Sequence, residues 1–160
     1  MKKVDKFHIF LFIFLTQASF TFSQDTINYL AIRDSITLEV DDFENYCKIL
    51  VSRFQSIETL NITKGKGEFY YDFGLALNCL RSTSENDSLL HKSIEFLLKS
   101  INENSIYKGS AYGLLTIQYA WLEDCNKVTE YFNLYRKNEQ RKNWNKAVFK
   151  TYRKMKKNCS

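Results

Sequence analysis

The segment from Ser105 to Tyr135 carries two stripes of apolar residues at helical spacing, separated by the polar turn Glu123–Asn126. The first stripe consists of Tyr112, Leu115, Thr116 and Tyr119, and the second of Val128, Tyr131, Phe132 and Tyr135. Side chains three and four residues apart lie on the same face of an α-helix. The segment therefore predicts two helices that pack against each other in opposite directions.

Similar stripes predict further helices elsewhere in the chain. They begin at Asp41–Asp42, where two acids suit a helix start, and at Glu68, Leu89 and Asn143. The chain contains no proline, which suits long helices. We expect an all-α fold of about six helices stacked as antiparallel hairpins, forming one domain over residues 41–160. Residues 24–40 show only weak periodicity and are expected to form a poorly defined arm.

Two sets of residues occur at matching positions in successive hairpins. The first set is Gly74, Leu77, Ser93 and Leu97, and the second is Thr116, Tyr119, Val128 and Phe132. Ser93 and Val128 are 35 residues apart, as are Leu97 and Phe132. This pattern resembles the tetratricopeptide repeat, whose period is about 34 residues. The matching repeats are 68–102 and 108–137, with a capping helix over 143–157. The chain departs from the family in lacking the usual alanine and proline and in a longer first turn, so a plain helical bundle is the alternative.

The resemblance implies where a partner would bind. In tetratricopeptide stacks, the first helix of each repeat lines a concave groove. The groove positions in this chain include Tyr71, Leu75, Asn78, Ile117 and Trp121. We expect a protein or peptide partner there, with Tyr71 and Trp121 as anchors because large aromatic residues dominate interfaces. Alternatively, either ring packs on the terminal helix.

Residues 1–23 have the composition of a secretory signal peptide. Lys2, Lys3 and Lys6 precede the apolar run Phe7–Leu15. Thr21–Ser23 then leads to an expected signal-peptidase cleavage site before Gln24. An uncleaved anchor is the alternative, but the run is short for a membrane span. We expect a periplasmic or extracellular protein with no stable membrane insertion after cleavage.

The four cysteines are expected to pair in an oxidising compartment, although sequence alone allows three pairings. Residues equidistant from a hairpin turn lie opposite each other. The midpoint of Cys47 and Cys79 is residue 63, within the expected turn 61–67. The midpoint of Cys125 and Cys159 is residue 142, close to another turn. This predicts the pairs Cys47–Cys79 and Cys125–Cys159, with Cys79–Cys125 as the rival. The spacings do not fit a metal site.

Charge divides the chain into an acidic body and a basic tail. Residues 136–157 hold ten basic residues and one acid. These residues carry a net charge of +9, and residues 1–23 carry +2. Because the whole chain has a net charge of +5, residues 24–135 must carry −6. The tail has three interpretations: a solvated cap, a surface for an anionic polymer or membrane, or a segment lying against the acidic body. Its basic surface comprises Lys146, Lys150, Arg153, Lys154, Lys156 and Lys157.

Nothing in the sequence indicates catalysis. One histidine, His8, lies in the leader, and the other, His91, has no partner motif. We expect neither an enzyme nor a cofactor, and an exported protein is not expected to bind nucleic acid. The alternative to an interaction module is a periplasmic immunity or inhibitor protein that neutralises a toxin or hydrolase. Its acidic body would cover a basic active site.

Overall fold

The structure is a computed structural model that describes residues 26–36, 42–84 and 86–159. Within these residues the fold is all-α, as the sequence predicts. Seven α-helices occur there: α1 Tyr29–Ile32, α2 Phe43–Glu58, α3 Lys66–Ser84, α4 Asp87–Asn102, α5 Lys108–Trp121, α6 Cys125–Asn138 and α7 Lys146–Asn158. The leader predicted for residues 1–23 lies outside the described residues.

The longer helices pair as antiparallel hairpins. Helix α3 packs along α4, and α5 along α6. Helix α2 covers α3, and α7 closes the other end by packing on α5 and α6. Polar side chains begin these helices: Asp42, Asn86, Asp124 and Asn145 accept hydrogen bonds from backbone N–H groups in the first turn. Asp42 thus has the helix-starting role predicted for it.

The connection between α3 and α4 is shorter than the sequence predicts. The polar residues Ser82–Ser88 predict a loop that is longer than the usual repeat turn, but α3 continues to Ser84 and α4 begins at Asp87. The hydroxyls of Ser82, Thr83 and Ser84 donate to carbonyl oxygens one turn earlier, at 2.6–3.0 Å. These bonds satisfy the hydroxyls within the helix, so a run of loop-forming residues remains helical.

The described part of the predicted arm has a defined structure. Strand β1 (Thr26–Asn28) pairs in parallel with β2 (Asn61–Lys64), which lies where only a turn was expected. Helix α1 and a 3-10 turn (Arg33–Ile36) follow β1. The side chain of Tyr29 is fully buried against Phe54 and Phe69. Tyr29 and Ile36 of this segment therefore enter the core, which the weak periodicity of the segment did not reveal.

Two apolar clusters lie side by side along the stack. The first joins α1, α2 and α3 with Phe96 of α4, and the second joins α4, α5, α6 and α7. Gly74 lets α3 and α4 approach closely: a Cβ atom there would lie 3.0 Å from the Leu97 Cγ atom. A side chain at position 74 would therefore press on α4.

Both predicted disulfides are present. Cys47 of α2 is bonded to Cys79 of α3, with their Cα atoms 5.6 Å apart. Cys125, at the start of α6, is bonded to Cys159 at the end of α7, with a Cα separation of 6.0 Å. The rival pairing Cys79–Cys125 is thereby excluded. Paired cysteines are characteristic of proteins in oxidising compartments.

Candidate interaction site

Three side-chain pairs join α3 to α5, or to Tyr107 just before it, along one face of the stack. The rings of Tyr71 and Tyr107 stack with centroids 4.8 Å apart. The Gln118 side chain donates a hydrogen bond from Nε2 to Asn78 Oδ1 at 3.4 Å. One helical turn further along both helices, the Arg81 guanidinium lies 4.3 Å from the centre of the Trp121 ring. We call this surface the α3–α5 face; it consists of Tyr71, Asn78 and Arg81 with Tyr107 and Trp121, and the buried Gln118 lies beneath it.

One end of the α3–α5 face is open. The Trp121 side chain is 45% exposed, although the ring is large and apolar. Arg81 lies over that ring and forms no ion pair with any carboxylate in the described part of the chain. Its Nε atom is buried and has no hydrogen-bond partner. This end therefore combines an accessible aromatic surface with an unneutralised positive charge.

A polar network holds the middle of the face in place. Ser93 donates a hydrogen bond to the Gly74 carbonyl at 2.7 Å, and Gln118 Nε2 donates to Ser93 Oγ at 2.7 Å. The Gln118 side chain is 1% exposed, and its Oε1 atom has no partner. Because the same amide nitrogen also donates to Asn78 Oδ1, it orients the Asn78 amide beside Arg81.

The other end of the face is covered by the N-terminal segment. Arg33 donates hydrogen bonds to Asp72 from Nε at 2.6 Å and from Nη2 at 2.8 Å, and a third to the Tyr107 hydroxyl. The Tyr29 hydroxyl donates to the same Asp72 carboxylate at 2.7 Å. Burial, together with the negative charge of Asp72, raises the pKa of Tyr29 well above its ordinary value. Residues 26–36 are thus fastened across this end.

The structure separates the five predicted partner-binding residues. Tyr71, Asn78 and Trp121 lie on the α3–α5 face. Tyr71 is half-buried in its stack with Tyr107, and burial raises its pKa. Leu75 instead lines a cavity of about 420 Å³ under α1 and α2. Ile117 packs against the second core cluster.

Two contributors to the face were not identified from the sequence. Arg81 lies three residues after Asn78, and Gln118 lies three residues before Trp121. Residues three apart in a helix are neighbours on its surface, so the predicted residues Asn78 and Trp121 could have pointed to Arg81 and Gln118. Among the described residues no group of three or more His, Cys, Asp or Glu side chains is placed to hold a metal ion.

The basic surface predicted on the tail lies on the outside of α7. Five of its side chains are exposed and form no ion pair with a carboxylate of residues 26–36, 42–84 or 86–159: Lys146, Lys150, Arg153, Lys154 and Lys156. Lys157 is exposed on the same helix. The tail therefore packs on the body through its apolar residues. The tail thus lies against the body, as one of the three interpretations has it, but these five side chains form no ion pair with the described acids of the body.

No protein-family model matches this chain, and no curated protein or solved structure is significantly similar to it. Among the described helices, none combines the length and the apolar composition that a membrane span needs. A functional interpretation of the α3–α5 face therefore depends on its geometry and chemistry.

Proposed function

We propose that this protein is an exported, non-enzymatic interaction module that binds a protein or peptide partner at the α3–α5 face, in the manner of a short tetratricopeptide-like stack. The observation that carries the proposal is the Arg81–Trp121 pair. An exposed tryptophan under an unpaired guanidinium is a typical interface anchor, because Trp and Arg are the residues enriched at binding hot spots.

The chemistry of the pair suggests the chemistry of the partner. A guanidinium resting on an aromatic ring loses little further freedom when it binds a carboxylate through two parallel hydrogen bonds. The neighbouring Trp121 surface suits an apolar side chain, and Asn78 offers an amide to a peptide backbone. The partner segment is therefore expected to place an acidic group next to an apolar residue.

Affinity capture from the exported fraction of the producing cell, with disulfides intact, tests this proposal. The baits are the wild type, Trp121→Ala, Arg81→Gln and the control Phe43→Ala. Phe43 is an aromatic residue that is 61% exposed on α2, a helix that supplies none of the residues of the α3–α5 face. We expect one discrete protein to be captured by the wild type and the control, with at least tenfold weaker binding by the two face variants.

Two outcomes count against the proposal. Equal capture by all four baits removes the α3–α5 face from the function. If no bait captures a protein, and if the wild type rescues cells that co-express a neighbouring toxin, the function is that of an immunity or inhibitor protein instead of an interaction module. The rescue assay uses the same variants, so it also shows whether Trp121 takes part in neutralisation.

A further inference from the structure

One face of helix α7 packs in the core, and the opposite face carries exposed lysine and arginine side chains. Val148 and Met155 are buried, and the Tyr152 ring stacks on Phe132 with centroids 3.8 Å apart. The helix is tied at both ends: the Asn145 backbone N–H donates to the Tyr135 hydroxyl at 2.6 Å, and Cys159 is bonded to Cys125. The orientation of α7 is therefore set by the body, and its cationic face always points outward.

The cations form a straight row. Lys146, Lys150, Arg153 and Lys157 follow one another at steps of four, three and four residues, so they share one side of the helix over about 16 Å. Lys154 and Lys156 flank this row. Like charges held this close repel one another and attract a partner that carries several negative charges in a line.

An aromatic recess opens beside the row. Trp144, Phe149, Lys146, Lys150 and Arg153 line a depression of about 500 Å³. The Trp144 indole N–H donates to the Glu139 carbonyl at 3.1 Å, and its ring lies 5.0 Å from that of Phe149. The recess therefore has a preformed aromatic floor and a basic rim.

We infer that this surface binds an acidic polysaccharide, with sugar rings on the Trp144–Phe149 floor and carboxylate or sulfate groups along the α7 row. A bilayer is disfavoured because the apolar side of α7 is held in the core and cannot enter lipid. An acidic protein is disfavoured because the exposed face is almost wholly charged, whereas interface cores are depleted of charge. This site is separate from the α3–α5 face and independent of the function proposed there.

The test measures binding of polygalacturonate to the disulfide-bonded mature chain by calorimetry at two salt concentrations, with neutral dextran as the control polymer. The variant Lys146→Gln/Lys150→Gln removes two charges from the row. Its matched control, Lys64→Gln/Lys92→Gln, removes the same charge from exposed positions on β2 and α4. All four side chains are exposed, so both variants are expected to fold.

We expect polygalacturonate to bind and dextran not to bind. The row variant should bind about tenfold more weakly, with a shallower dependence on salt, while the control stays within about twofold of the wild type. A Trp121→Phe background leaves Trp144 as the single tryptophan. Its fluorescence should change on binding because the recess is filled.

Three results overturn the inference. Equal losses in the two double variants mean that only net charge matters. Tighter binding of phosphatidylglycerol vesicles or of polyglutamate than of polygalacturonate assigns the surface to a membrane or to an acidic protein. Unchanged Trp144 fluorescence at saturation excludes the recess.

Discussion

The guanidinium group of Arg33 donates two parallel hydrogen bonds, of 2.6 and 2.8 Å, to the carboxylate of Asp72, which lies 39 residues later in the sequence. This pair fixes the N-terminal segment to α3 at one end of the α3–α5 face. Both side chains are largely shielded from water, with 31% of Arg33 and 13% of Asp72 exposed. The pair therefore differs from the ion pairs on the outer surface of the helices, where water screens the charges.

Replacing Asp72 with asparagine should weaken the fold. The change leaves the Arg33 charge without its partner and disturbs the hydrogen bond from the Tyr29 hydroxyl. We expect the free energy of unfolding to fall by about 2–3 kcal/mol, measured by denaturant titration with disulfides intact. The control is Glu44→Gln, which breaks an exposed pair with Lys48 and should cost less than about 0.5 kcal/mol. Equal costs for the two variants contradict the role assigned to the Arg33–Asp72 pair.

Removing either disulfide should also reduce stability. The bonds close loops with separations of 32 and 34 residues, so Cys47→Ser/Cys79→Ser and Cys125→Ser/Cys159→Ser should each lose about 3 kcal/mol. Denaturant titration of the two double variants measures this loss. Peptide mapping under non-reducing conditions checks the pairing itself, and a peptide linking Cys79 to Cys125 would refute it.

Alanine at position 74 should destabilise the protein although it favours helix. Removing the glycine gains about 1 kcal/mol of helix propensity. However, the new Cβ atom would lie 3.0 Å from Leu97 Cγ and 3.3 Å from the Ser93 carbonyl oxygen, so the Leu97 side chain or the α4 backbone must shift by a few tenths of an ångström in a packed core. We expect a net loss of about 1–3 kcal/mol in thermal or chemical unfolding. Asn133→Ala, at an exposed position of α6, is the control and should be neutral or slightly stabilising. A gain in stability at position 74 contradicts the close approach.

Stability should fall as the pH rises above about 10. Burial raises the pKa of Tyr29, Tyr71, Tyr112, Tyr131 and Tyr135 in the folded protein. In the unfolded chain a tyrosine ionises near pH 10, so unfolding then releases protons that the folded state retains. The stabilisation is complete at neutral pH and is lost progressively at alkaline pH.

The variant Tyr29→Phe tests how much Tyr29 contributes to this loss of stability at alkaline pH. Unfolding free energies of the variant and the wild type are measured from pH 8 to 11, each relative to its own value at pH 8. We expect a smaller alkaline loss in the variant, because one titrating group has been removed. Superimposable curves would show that the buried Tyr29 phenol does not contribute.

Local patterns predict the helices and the disulfides of this chain because both depend on distances along the sequence. Helical spacing placed Val128, Tyr131, Phe132 and Tyr135 on one face, and all four are buried. The disulfide pairing followed from equal distances to a turn, which hairpin geometry converts into contact. The same reasoning failed at Ser82–Ser84, where hydroxyls that favour loops found acceptors inside the helix.

Contacts between distant segments were beyond the reach of those patterns. A three-residue strand and a four-residue helix carry too little periodicity to show that Tyr29 enters the core. Helix α3 is oriented so that Leu75 faces α2 and Arg81 lies over Trp121, which is forty residues later in the sequence. The sequence by itself determined the six longer helices of the described residues and their hairpin partners, since these follow from local spacing, and hairpin geometry selected the observed cysteine pairs from the three that sequence alone allows. Only the tertiary structure decided which side chains meet on the α3–α5 face, because that depends on how whole helices rotate when their apolar faces pack.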